Sequence, residues 1–171
     1  MKPIRTHVPA LTLIIILAVL LMSCSSTTKQ PMGLINGQLA PCPNSPNCVS
    51  SEMSTSTAYI EPLAVKIEPE AAWLCLKRSI EGLGGTIKMA EDHYLWATFK
   101  TKVFRFVDDV ELRLDADSKL IHVRSASRVG YSDLGVNQKR VELLREKFTE
   151  EQERVLKLAQ VTVGRALADG F

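Results

Sequence analysis

The chain has 171 residues, 46% of them hydrophobic, with 21 Lys and Arg against 19 Asp and Glu. That length is enough for one domain with a core of its own. The near balance of charge argues against a nucleic-acid partner, which favours a basic face and a high pI.

Lys2 and Arg5 precede an apolar run from Leu11 to Met22 that only Thr12 interrupts. The run falls short of the ~20 residues a membrane-spanning helix needs, so it reads as a secretory signal. Its ending, Leu21-Met22-Ser23-Cys24, resembles a bacterial lipoprotein signal, in which the cysteine is acylated and becomes the new N-terminus. The resemblance implies lipid attachment at Cys24 and a membrane partner reached through that anchor. Ser25 puts no acidic charge behind the anchor, so the expected location is the cell envelope at the periplasmic face of an outer membrane. Processing would remove Lys2 and Arg5 and leave acidic and basic residues in balance. Residues 24–40 lack a sustained period and suit a flexible tether. Residues 41–171 are then a single domain.

Pro41 to Cys48 is a turn-rich segment of prolines and asparagines. In an exported chain its Cys42 and Cys48 are most simply a disulfide; a metal site is the rival, and no third or fourth ligand lies nearby. Tyr59–Ile67 reads as an extended piece broken by Pro62. Glu68-Pro69 starts a helix with Trp73, Leu76, Ile80 and Leu83 at helical spacing, ended by Gly82, Gly84 and Gly85. Cys75 within it reads as a small buried hydrophobe.

Strands are expected at Thr86–Ala90, Tyr94–Lys102, Phe104–Asp115 and Leu120–Val129. Their short connections imply an antiparallel meander. Asn137 can cap a long final helix with the apolar stripe Val141, Leu144, Phe148, Val155 and Leu158. The expected fold is α+β, a sheet of about four to five strands packed against two main helices.

The hairpin gives the best local constellation. Even positions Phe104, Phe106, Val110, Leu112 and Leu114 form the core face, and in the next strand Ile121 and Val123 do. This predicts Leu112 beside Ile121, Val110 beside Val123, Glu111 beside His122, Asp109 beside Arg124, and Asp108 on the core face opposite Ser125. The charged face can be a solvated set of cross-strand pairs, each contributing under ~1 kcal/mol. It can also hold an anion together with the Arg-, Ser- and Gly-rich turn that follows. The candidate ligand-binding residues are Asp109, Arg124, Arg128, Tyr131, Asp133, Asn137 and Arg140.

Three stretches, Cys42 to Ser51, Phe106 to Glu111 and Arg124 to Asn137, resemble the family called domain of unknown function (DUF) 1499. The resemblance covers nearly all of the mature domain and implies that these motifs act together, without supplying a reaction. Family members commonly read Asn-Arg where this chain has Asn137-Gln138.

Enzyme signals are thin. The mature chain keeps only His93 and His122, which leaves little for zinc; no cofactor or metal is expected. Ser125 and His122 point to opposite faces, so a triad through Ser125 fails. The reading is an envelope lipoprotein with a binding or scaffolding domain, its partner an anionic small ligand, a lipid head group or an envelope protein. The alternatives are a periplasmic hydrolase or transferase with Asp108 or Asp109 as general base, and a purely structural envelope interaction protein.

Overall fold

The computed structural model describes residue 31 and residues 33–101 and 105–168. The expected signal peptide, Cys24 and Phe104 lie outside these residues.

The strands are β1 (Cys48–Ser50), β2 (Leu63–Ala64), β3 (Thr86–Ala90), β4 (Tyr94–Lys100), β5 (Val107–Asp115) and β6 (Leu120–Ser127). They form one six-stranded antiparallel sheet in the order β1-β6-β5-β4-β3, with β2 also on the outer side of β6. The helices are α1 (Pro69–Gly82) and α2 (Val136–Ala168), which makes the fold α+β. The sheet is larger than the meander predicted, because the Pro/Asn-rich segment ends in β1 and Leu63–Ala64 pairs with Leu120 and Ile121.

Pro69 occupies the first turn of α1, where its missing N–H costs nothing. At the other end Gly84 takes φ +81, its N–H donates to the Glu81 carbonyl, and the Gly85 N–H donates to the Ile80 carbonyl. This pair of bonds satisfies carbonyls that the helix end would otherwise orphan. Gly85 must also stay bare: a Cβ there would lie 2.6 Å from the Ile80 and Phe99 side chains.

Trp73, Leu76 and Ile80 of α1 and Val141, Leu144 and Phe148 of α2 bury against Leu95, Val110, Leu112, Ile121 and Val123. The parity argument therefore placed the core face correctly, with exceptions at both ends. Phe106 precedes β5 and is half exposed, and Leu158 lies past the end of the domain's core and is exposed. Leu39, within the predicted tether, is buried, and its N–H donates to Glu52 Oε2 at 2.5 Å.

The β5–β6 register differs from the expected one by two residues. Leu112 faces Val123, Val110 faces Ser125, Glu111 faces Arg124, and Asp109 faces Ala126. Asp115 fixes the connection: its Oδ1 accepts the Ser118 N–H at 3.0 Å, and Lys119 adopts φ 53 to close the loop. Because side chains alternate with period two, such an offset keeps every residue on its face and changes only its neighbours.

Candidate functional site

The sheet face away from the helices is a lattice of ion pairs, and it is buried. Asp109 accepts two bonds from Arg128, at 2.8 Å each, and one from Trp96 Nε1 at 2.7 Å. In the next row Glu111 accepts from Arg124 Nη1 at 2.8 Å and from the Tyr94 hydroxyl at 2.9 Å. The third row joins Arg113 to Glu52 at 2.6 Å and brings Ser51 Oγ to 3.2 Å from His122 Nδ1. The expected partners Asp109–Arg124 and Glu111–His122 are thus replaced by Glu111–Arg124, directly opposite in the register, and by Asp109–Arg128, where Arg128 reaches back from just beyond β6.

Glu111 is only 1% exposed, and this burial raises its pKa although Arg124 and the Tyr94 hydroxyl pull it down. Burial, then the Glu111 carboxylate, raise the Tyr94 phenol. Burial lowers the His122 pKa, with Arg113 adding to it. The bond to Asp109 raises that of Arg128. These side chains lock one another rather than present free charge.

A second polar cluster lies on the helix side, where α2 begins. Asp108, 2% exposed, is met by Arg140 Nη2, and Arg140 Nη1 reaches Asn137 Oδ1 at 2.5 Å and Ser125 Oγ at 3.2 Å. The guanidinium also lies over the Phe99 ring, 5.2 Å from its centroid. Asp108 is inward as expected, but its register neighbour is Ser127, and it shares Arg140 with Ser125.

Asn137 does not cap α2. Asp133 does, its carboxylate accepting the Gly135 N–H at 3.0 Å and the Asn137 N–H at 2.7 Å. The Asn137 side chain is instead fully buried and donates to the Asn47 carbonyl at 2.9 Å and Ser127 Oγ at 3.0 Å. Asn47 in turn donates to the Gly130 carbonyl at 2.6 Å. The Cys42–Cys48 disulfide, with S–S 2.00 Å, closes the loop that carries Asn47.

The seven candidate residues therefore fall into separate groups. Asp109, Arg124 and Arg128 belong to the far face; Asn137 and Arg140 belong to the buried cluster; Asp133 and Tyr131 stand at the surface turn between β6 and α2. That turn is the ridge between two clefts. A cleft of about 690 Å³ opens between it and the disulfide loop, lined among others by Ser45, Pro46, Thr57, Tyr131, Ser132 and Gln138. One of about 580 Å³ opens on the other side, lined by Phe106, Val129, Leu134 and Val136 with Asp108 and Ser127 at its base. Ser132 and Asp133 line both. Tyr131 is 76% exposed and Leu134 94%, the latter at φ 55, a region costly for a residue with a bulky side chain.

Sequence reasoning missed Asn47, Glu52, Ser51 and the cleft residue Gln138. For Asn47 the signal was present, an asparagine beside the second cysteine in a segment dense in turn formers. Ser51, His122 and Asp115 stand in a row, with His122 Nε2 4.0 Å from Asp115. Ser51 is buried and its hydroxyl already accepts the Val123 N–H at 2.9 Å, so it is not offered to a substrate. Among the described residues no group of three or more His, Cys, Asp or Glu could hold a metal, and no helix is long and apolar enough to cross a membrane.

Compared with known families, residues 38–148 match the family model described as Protein of unknown function (DUF1499). No curated protein matches.

Proposed function

Because the chain belongs to the DUF1499 family, which brings no reaction with it, we propose from the sequence Leu21-Met22-Ser23-Cys24 that it is a lipid-anchored envelope protein, and from the site that its domain binds a small amphiphile across the β6–α2 ridge. The observation that carries this reading is the Ser132–Asp133 ridge shared by two clefts of opposite character. One offers hydroxyls and amides for a polar head group, and the other offers Phe106, Val129, Leu134 and Val136 for an apolar tail. The arginines first considered for an anion are each engaged by a buried carboxylate, so they serve as the frame. The same pairing supports a binding domain over a hydrolase: Asp108 and Asp109 are buried and each is already held by a guanidinium group, including Asp108 where it lines the apolar cleft.

Binding of monomeric lysophosphatidylglycerol, followed by calorimetry and by shifts of the Tyr131 and Leu134 resonances, tests the site. Leu134→Asp and Tyr131→Ala should each weaken it roughly tenfold with the thermal midpoint unchanged. Undiminished binding in both variants would move the site elsewhere. The exposure of Leu134 also favours a second reading, docking of another envelope protein on this lip, for which lipid binding would fail altogether. For the anchor, Cys24→Ser should move the protein from the detergent phase to the aqueous phase.

A further inference from the structure

Helix α2 runs 33 residues, but only its first half is held by the domain. Val141, Leu144 and Phe148 are buried and Val155 half buried; every residue from Leu156 to Thr162 is exposed, Leu158 at 63% and Val161 at 62%. The family match ends at residue 148, before this segment begins.

Residues 156–168 extend ~20 Å at 1.5 Å per residue. As the continuation of a helix already nucleated by the domain, it leaves Leu156, Leu158 and Val161 open to solvent, and β-branched Val161 and Thr162 lower its intrinsic propensity. The stripe of Val141, Leu144 and Phe148 continues outward as Val155, Leu158 and Thr162 at the same spacing. Thr162 turns its hydroxyl back onto the Leu158 carbonyl at 3.0 Å, so that its polar group needs no outside partner.

Charge selects the occupant. The acidic residues of α2 stop at Glu153, and from Arg154 to Ala168 the sequence carries Arg154, Lys157 and Arg165 with no Asp or Glu. Lys157 and Arg165 are exposed and make no ion pair among the described residues. A second copy of the same cationic segment would bring like charges together, whereas an apolar stripe flanked by cations is the pattern of a helix lying in an anionic lipid surface. Lys and Arg at the flank can extend to head groups while their stems lie along the apolar surface. We propose that the end of α2, from Val155 onward, is a membrane-surface contact that binds anionic lipid, separate from the cleft and independent of the Cys24 anchor.

The test is hydrogen exchange of residues 154–168 in the full chain with vesicles of phosphatidylcholine alone or containing phosphatidylglycerol. Protection of this segment should appear only with phosphatidylglycerol. It should be lost in Lys157→Glu/Arg165→Glu, with apparent partition falling roughly tenfold or more, since each basic residue near such a surface is worth about fivefold. The exchange of β5 and β6 should stay unchanged, which shows that the variant is folded. Protection without vesicles that grows with protein concentration would assign the stripe to a second copy. Concentration-independent protection without vesicles would assign it to another part of this chain. Either result, or protection equal on both vesicle types, overturns the proposal. Failure of the lipid anchor would show separately, as loss of flotation with phosphatidylcholine vesicles.

Discussion

Arg124→Ala distinguishes a structural lattice from a decorated surface. Its guanidinium lies 2.8 Å from Glu111, whose side chain is 1% exposed, and its own side chain is 14% exposed. Removing one member of a buried pair leaves the other charge uncompensated, at a cost of ~3–5 kcal/mol, whereas an exposed pair is worth under ~1. The Tyr94 hydroxyl still donates to Glu111 and offsets about 1 kcal/mol, leaving ~2–4 kcal/mol. For a domain of this size that lowers the thermal midpoint by about 10 °C. The deficit should depend on pH. Burial already raises the Glu111 pKa in the folded state, and loss of Arg124 removes an opposing influence and raises it further. The folded variant then binds a proton more readily than the unfolded chain, so its stability is fullest below the unfolded glutamate pKa and declines as pH rises through the folded one. Urea unfolding of both proteins at pH 5 and pH 8 should give the larger gap at pH 8, and Glu111→Gln in the Arg124→Ala background should recover most of it. A gap under 1 kcal/mol at both values would refute the buried-lattice reasoning.

Asn137→Ala deletes both amide bonds to Asn47 and Ser127 and should cost ~2–3 kcal/mol by chemical denaturation. Asp133→Ala, which removes only a helix cap, should cost about 1. Cys42→Ser/Cys48→Ser should lose ~2 kcal/mol on the chain-entropy model, with faster hydrogen exchange along residues 42–48 and little change in β5. Leu134→Gly relieves a left-handed residue and should raise stability by ~0.5–1 kcal/mol while weakening amphiphile binding; a gain in both would argue that Leu134 has no part in the site. Acidification should destabilise the fold through His122, whose pKa burial lowers: stability is full above the unfolded histidine pKa of about 6.5 and falls as pH drops below it, and His122→Gln should flatten that part of the profile.

Features that depend on local chemistry were legible in the sequence. Pro69 and the glycines at 84 and 85 bound α1, the alternation in β5 and β6 names the core face, and the cysteine pair is bridged. The register was not legible, because it depends on how many residues the loop after Asp115 consumes, and that is decided by the Asp115 carboxylate and the φ of Lys119. Nor was the burial of the charged face. Alternation says which side chains share a face, but not that Tyr94, Trp96 and the arginines lie across the carboxylates and shut out water. Asn137 stands two residues after Gly135, close to where a cap is expected, and the approach of Asn47, 90 residues earlier, explains why it turns inward instead.

The Asn47 carbonyl accepts from both the Ser127 N–H and the Asn137 amide, which fixes the second cysteine's arm of the loop by contacts that involve no sulfur. Cys48 is likewise placed by its pairing with Ala126. Oxidation thus acts on a hairpin arm already delivered to its address by the sheet and the last helix. A chain arranged in this way tolerates a lag between folding and oxidation: those contacts hold its two thiols near one another before the bridge forms. Crossed bridges with Cys75 are also disfavoured, since that thiol is sealed in the core by the same packing that positions the pair.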